Sequence, residues 1–176
     1  MLSVAVIFFT FSVGAFVIGV FLLGIGAEPG EDGRSPLYII GWIELVVGLV
    51  LITQVFILVQ QSGGEPLILT LAGLVVLFAL FFIALGLALV KGTDLRPIGA
   101  IAFSIGVISP FYAWSDLFNG TFVFQSSAIW WGLAFFGVAA FTYGKLEANI
   151  MGAALVITAI WGFVPVAYLV LDKTIP

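Results

Sequence analysis

The chain has 176 residues, of which 63% are hydrophobic and 8% charged, with a formal net charge of −4. A soluble domain is about one quarter charged, so almost every segment here is instead a candidate membrane span. With no Cys and no His, there is no disulfide framework and no thiolate metal site, and the commonest metal ligand, general base and neutral-pH switch is missing.

The first span is expected over roughly Ser3 to Gly24. It lacks the basic n-region of a secretory signal, since the first basic residue is Arg34, and reads as a retained span. Val6, Thr10, Val13 and Val17 follow helical spacing along it. Thr10 either bonds back to its own helix or forms a polar rung in a pore. A Gly-, Pro- and charge-rich turn follows. Ser35 before Pro36 then marks a helix start, with Pro at the first helical position.

The second span, roughly Leu37 to Val59, holds Glu44, the only acid well inside a span. An ionisable group there needs a partner, a proton or water, and is by default a functional candidate. Thr53 and Gln54 read as packing glue. After the turn at Gln60 to Glu65, the third span runs from roughly Leu67 to Val90. Its second half carries Phe78, Phe81, Phe82 and Gly86, each as compatible with core packing as with a pore wall.

The turn Lys91 to Pro97 leads to the fourth span, roughly Ile98 to Trp114. Gly99 and Gly106 share one face there and allow close helix approach. Pro110 removes a backbone bond and predicts a kink. The fifth span, Thr121 to Tyr143, alternates aromatic rings with Gly and Ala. The sixth, roughly Ala148 to Leu171, has small residues at Gly152 to Ala154 and a second kink expected at Pro165.

Six spans place both termini on one side. Arg34, Lys91, Arg96 and Lys145 fall on one face, and Lys173 alone on the other, so the positive-inside rule puts both termini outside. The expected fold is an all-α membrane protein, a six-helix bundle with short loops forming a single domain over residues 1–176.

Several chemistries are excluded. No nucleophile–base pair is available, so enzymatic activity is not expected. No Gly-rich phosphate loop, voltage-sensor helix or set of metal ligands is present, so no cofactor or metal is expected. The thin charge suggests no nucleic-acid partner. An uncharged, aromatic-walled passage suits small neutral solutes and excludes ions, because nothing replaces their hydration shells.

The chain resembles the urea/amide channel family, which includes acid-activated urea channels and short-chain amide channels. The resemblance rests mainly on Asp94-Leu95-Arg96-Pro97, followed by the span bearing Pro110. Shorter matches are Val13-Gly14, Gly41 with Ile52-Thr53, Gly137-Val138 with Thr142, and Val164-Pro165. It implies a hexameric ring in a bacterial cytoplasmic membrane, contacting lipid, with a pore through each protomer. Urea or short amides would cross by passive diffusion past two hydrophobic constrictions. Carried over by position, the pore would be lined by Val6, Thr10, Val13 and Val17 of the first span, Phe82 of the third, Ile129, Leu133, Phe136 and Ala140 of the fifth, and Thr158 of the sixth. Phe136 would be the constriction residue. Phe135 and Trp131 would pack against neighbours or lipid.

Three departures stand out. Of the four fifth-span positions only Phe136 is aromatic, where the acid-activated members are rich in Trp. The family's acid in the sixth span falls near Ile157 and Thr158 and is missing, so Glu44 becomes its candidate substitute. The outside His residues of the acid-activated members are also missing, which implies a channel without His-based gating or one tuned by carboxylates such as Glu65 and Asp116. Two alternatives stay open: a non-transporting six-span stress-resistance protein, and a proton-coupled carrier using Glu44.

Overall fold

A computed structural model describes residues 2–26, 28–29, 33, 35–115 and 121–171. It consists of six α-helices: α1 (Leu2–Leu22), α2 (Pro36–Ser62), α3 (Pro66–Lys91), α4 (Arg96–Ala113), α5 (Phe122–Thr142) and α6 (Ala148–Val170). All six are long and apolar enough to cross a membrane. In hydrocarbon a helix is one of only two ways to satisfy the backbone, so the hydrophobic runs become helices almost by default. Asp116, Arg34 and Lys173, which entered the expectations above, lie outside the described residues.

Local signals set the ends. The Ser35 side chain accepts a bond from the Leu37 N–H at 3.3 Å, and Pro36 occupies the first helical position, where its missing N–H costs nothing. α3 stops at Gly92, whose φ of 63° is left-handed and therefore cheap only for Gly. The Thr93 N–H then reaches back to the Ala88 carbonyl at 3.0 Å. α4 continues through Pro110 and α6 through Pro165.

Each helix packs against its two sequence neighbours, and α6 returns to α1, so the helices close into a ring in chain order. Three pairs within that ring pack most tightly: α2 with α3, α4 with α5, and α1 with α6. Each tight pair is antiparallel and made possible by glycines. A Cβ added at Gly86 would stand 2.6 Å from the Gly41 carbonyl oxygen, and one at Gly48 would stand 2.9 Å from the Ile83 nitrogen. In the α1–α6 pair, a Cβ at Gly19 would meet the Gly152 carbonyl oxygen at 2.9 Å. In the α4–α5 pair, Gly99 lies against Thr142, and a Cβ at Gly106 would come 2.9 Å from the Phe136 ring. Lipid is as apolar as a core, so van der Waals approach of this kind replaces the hydrophobic effect as the glue between helices.

The other three seams are looser, and two of them carry a polar tie. The Tyr112 hydroxyl donates to the Thr70 carbonyl at 3.4 Å across α3 and α4. The Trp161 indole N–H donates to Ser126 Oγ at 3.2 Å across α5 and α6. The remaining seam, between α1 and α2, holds Glu44.

Candidate functional site

A ring of helices leaves an axis, and aromatic side chains fill it. Phe78 of α3 stacks on Phe135 of α5, with centroids 5.3 Å apart and planes 15° from parallel. It also meets Trp131 edge-on at 5.3 Å. Phe11 of α1 reaches Phe78 at 5.1 Å and Trp131 at 5.2 Å. Among the described residues, α5 has no backbone contact with α1 or α3, so these side chains span the interior of the ring. The axial plug has two tiers. Phe8, Phe78 and Trp131 form one, and Phe11, Phe81, Phe82 and Phe135 the other, about one helical turn nearer the Lys91 end of the bundle.

Below the second tier lies a cavity of about 90 Å³, enough for several water-sized molecules. It sits at the end of the bundle that carries Lys91, Arg96 and Lys145. Its walls include Ala15, Ile18, Leu37, Ile40, Leu85, Leu95, Val138 and Met151, and Phe11, Phe81, Phe82 and Phe135 form its floor. No charged side chain lines it. Thr142 also borders it, and its hydroxyl donates to the Ala139 carbonyl at 2.9 Å.

Most of the expected pore-lining residues lie off the aromatic axis. On α1 the inward line is Val4, Phe8, Phe11, Ala15, Ile18 and Leu22. Val6, Val13 and Val17 are half-buried on other faces, and Val17 borders an outer groove between α1 and α2. Thr10 is 9% exposed. On α5, Ile129 and Leu133 are 38% and 54% exposed, whereas Trp131 and Phe135 are buried. Phe136 packs against Gly106 and Phe103 of α4, and Ala140 is half-buried. Trp131 and Phe135, expected against neighbours or lipid, are buried at the axis instead. Phe82 does reach the interior, against Phe11 at 5.6 Å. Thr158 is buried with its hydroxyl on the Ala154 carbonyl at 2.8 Å. The physical reason is that these helices are apolar all round, so periodicity carries little information about facing. The missed signal was ring size on α1: Phe8 and Phe11 share its inward line with the small Ala15.

Glu44 is completely buried, and neither carboxylate oxygen has a hydrogen-bond partner. It follows Leu37 and Ile40 along the inward face of α2, one turn beyond Ile40. A Cβ on Gly14 would come 2.9 Å from Glu44 Oε2 and 3.0 Å from Phe82 Cε1. The carboxyl therefore occupies the notch left by Gly14, beside a ring of the cavity floor. Ser12 Oγ and Ser109 Oγ are also buried without partners. Ser12 lies against Gly162, in the tight α1–α6 pair.

The Asp94-Leu95-Arg96-Pro97 turn is explained by the same geometry. The Arg96 Nε donates to Asp94 Oδ2 at 2.7 Å, and the Arg96 backbone N–H donates to Oδ1 at 3.0 Å. These bonds hold the Asp94 carboxyl below its usual range. They fix the α3–α4 turn, which delivers Leu95 into the cavity wall. Among the described residues no cluster of acids could hold a metal ion.

Six helices, each long and apolar enough to cross a membrane, thus close into a ring around an aromatic axis. Among solved structures, the chain is similar to the urea channel from the human gastric pathogen Helicobacter pylori. A crystal structure of that channel matches with a TM-score of 0.74 and 12% identity, covering 96% of this chain and 98% of the other. A cryo-electron microscopy structure of its closed state matches with a TM-score of 0.78 and 13% identity, covering 98% of each chain. At such identity the likeness is one of fold. No family model and no curated protein sequence matches the chain.

Proposed function

We propose that the protein is a passive channel for urea and short-chain amides across a bacterial cytoplasmic membrane. One observation carries this reading: a full-length urea-channel fold whose axis is filled by aromatic rings above an apolar cavity. Phe8, Phe11, Phe78, Phe81, Phe82, Trp131 and Phe135 line the proposed path, with Phe82 retained from the sequence expectation. Urea and small amides are flat, so of solutes of their size they require the smallest parting of the ring faces. Ions are rejected because the ring walls offer no set of polar groups that could replace a full hydration shell. The channel has no His-based gating, since the chain has no His. The protomers assemble into a hexamer, each with its own path.

Stopped-flow light scattering on proteoliposomes tests the proposal. Urea and acetamide gradients should relax faster than in protein-free vesicles, with no dependence on a proton gradient. Flux no faster than in protein-free vesicles refutes the channel and favours a non-transporting membrane protein. Flux that requires a proton gradient refutes passive diffusion and favours a proton-coupled carrier.

A further inference from the structure

Rings and aliphatic walls discriminate by size and shape, but they cannot distinguish an N–H donor from an isosteric apolar group. Discrimination of that kind needs a buried polar partner whose desolvation cost is recovered only by the right ligand. The described interior contains one carboxyl of this type. Glu44 is completely buried with both oxygens unbonded. Its surroundings do not supply a partner, and the other side chains that crowd Gly14 are the apolar Phe82 and Val47. The other two loose seams close with protein–protein hydrogen bonds, Tyr112 to Thr70 and Trp161 to Ser126. The α1–α2 seam instead holds an acid at Gly14, where Phe82, a residue of the cavity wall, also packs.

We propose that Glu44, set in the Gly14 notch beside Phe82, is the acceptor of a docking station for the N–H groups of the permeating solute. The station takes neutral molecules with amide-type NH2 groups, whose paired donors match the two oxygens of a carboxyl. It favours urea and primary amides over solutes of similar size without N–H donors. It sits at the junction of cavity and ring plug, where a solute must give up its last waters. The carboxyl replaces those waters at the step where the rings begin to exclude them.

This proposal rests on the channel reading, and the experiment separates the two. Wild type, Glu44→Leu and Glu44→Gln are reconstituted at equal density and urea flux is measured, with thermal stability followed in detergent. An unbonded buried carboxyl is destabilising, so a purely structural account predicts that Glu44→Leu is at least as stable as wild type and conducts normally. The station predicts the same stability with urea flux reduced by roughly tenfold or more. Glu44→Gln keeps one acceptor oxygen and should stay within about threefold of wild type.

Wild-type flux in Glu44→Leu overturns the station while leaving the channel intact. Glu44→Gln as slow as Glu44→Leu overturns the acceptor role. Wild type itself without urea flux removes the channel and the station together. If Glu44→Leu does not fold, Gly14→Ala serves in its place: its methyl would stand 2.9 Å from Oε2 and 3.0 Å from Phe82, crowding the station without altering its chemistry. It should also slow urea, and wild-type flux in that variant overturns the proposal.

Discussion

Phe78→Ala tests whether the aromatic axis is the permeation barrier. The Phe78 ring is 1% exposed and contacts Phe11, Trp131 and Phe135, with centroids 5.1, 5.3 and 5.3 Å away. Aromatic pairs contribute about 0.5–1.5 kcal/mol each, so three contacts amount to roughly 1.5–4.5 kcal/mol. Hydrophobic transfer adds little here, because the alternative environment is lipid rather than water. If a solute must part these rings to pass, removing Phe78 lowers the barrier by the same contacts that it removes from the fold. At about 1.4 kcal/mol per tenfold in rate, even the low estimate raises urea flux about tenfold. The variant should therefore conduct faster, admit longer amides, and melt at lower temperature in detergent. A loss of stability with unchanged flux and unchanged solute cut-off would refute the reasoning. The rings would then be core packing, and any path would lie elsewhere.

The remaining predictions probe register, close packing and the α3–α4 turn. Leu133→Ala should leave urea flux and stability near wild type because the side chain is 54% exposed on the outer surface, whereas Trp131→Ala should change both; the reverse pattern in the flux assay restores the other face of α5 as the lining. Gly86→Ala would place a methyl 2.6 Å from the Gly41 carbonyl oxygen and 2.7 Å from the Leu45 nitrogen. Both are backbone atoms, so α2 and α3 must separate, at a cost of about 1–3 kcal/mol that thermal unfolding in detergent would detect. The bonds from Arg96 hold the Asp94 carboxyl below its usual value of 3.8. Their contribution is thus present above that pH and lost as pH falls through the lowered value. Unfolding midpoints of wild type and Asp94→Asn measured down the pH scale should converge only below pH 3.8. A wild-type advantage that disappears already near neutral pH would contradict this.

The helix starts and stops were legible because each has a local cause. Ser35 and Pro36 announce α2, and Gly92 ends α3 through a left-handed φ that Gly adopts at no steric cost. The pairing role of Gly99 and Gly106 was also legible, since two small residues on one helix face invite a close neighbour. What the local signals left open was the direction in which α1 and α5 point. In a water-soluble bundle an apolar stripe opposite a polar face would settle it. Here Leu133 and Phe135 are equally acceptable to lipid and to a core, so sequence spacing favoured Ile129, Leu133, Phe136 and Ala140 over the line that contains Trp131 and Phe135.

Length and hydropathy alone therefore determined six helices long and apolar enough to cross a membrane, because hydrocarbon leaves an apolar backbone almost no alternative. They also singled out Glu44, because an acid is costly wherever it sits in a membrane. Only the tertiary structure decided which residues meet at the axis. That choice is made by close backbone approach at Gly86–Gly41, Gly19–Gly152 and Gly132–Gly106, which fixes the rotation of each tight pair and so turns Phe11, Phe78, Trp131 and Phe135 inward. Such contacts join residues far apart in the chain and follow from shape, for which a uniformly apolar sequence carries no periodic signal.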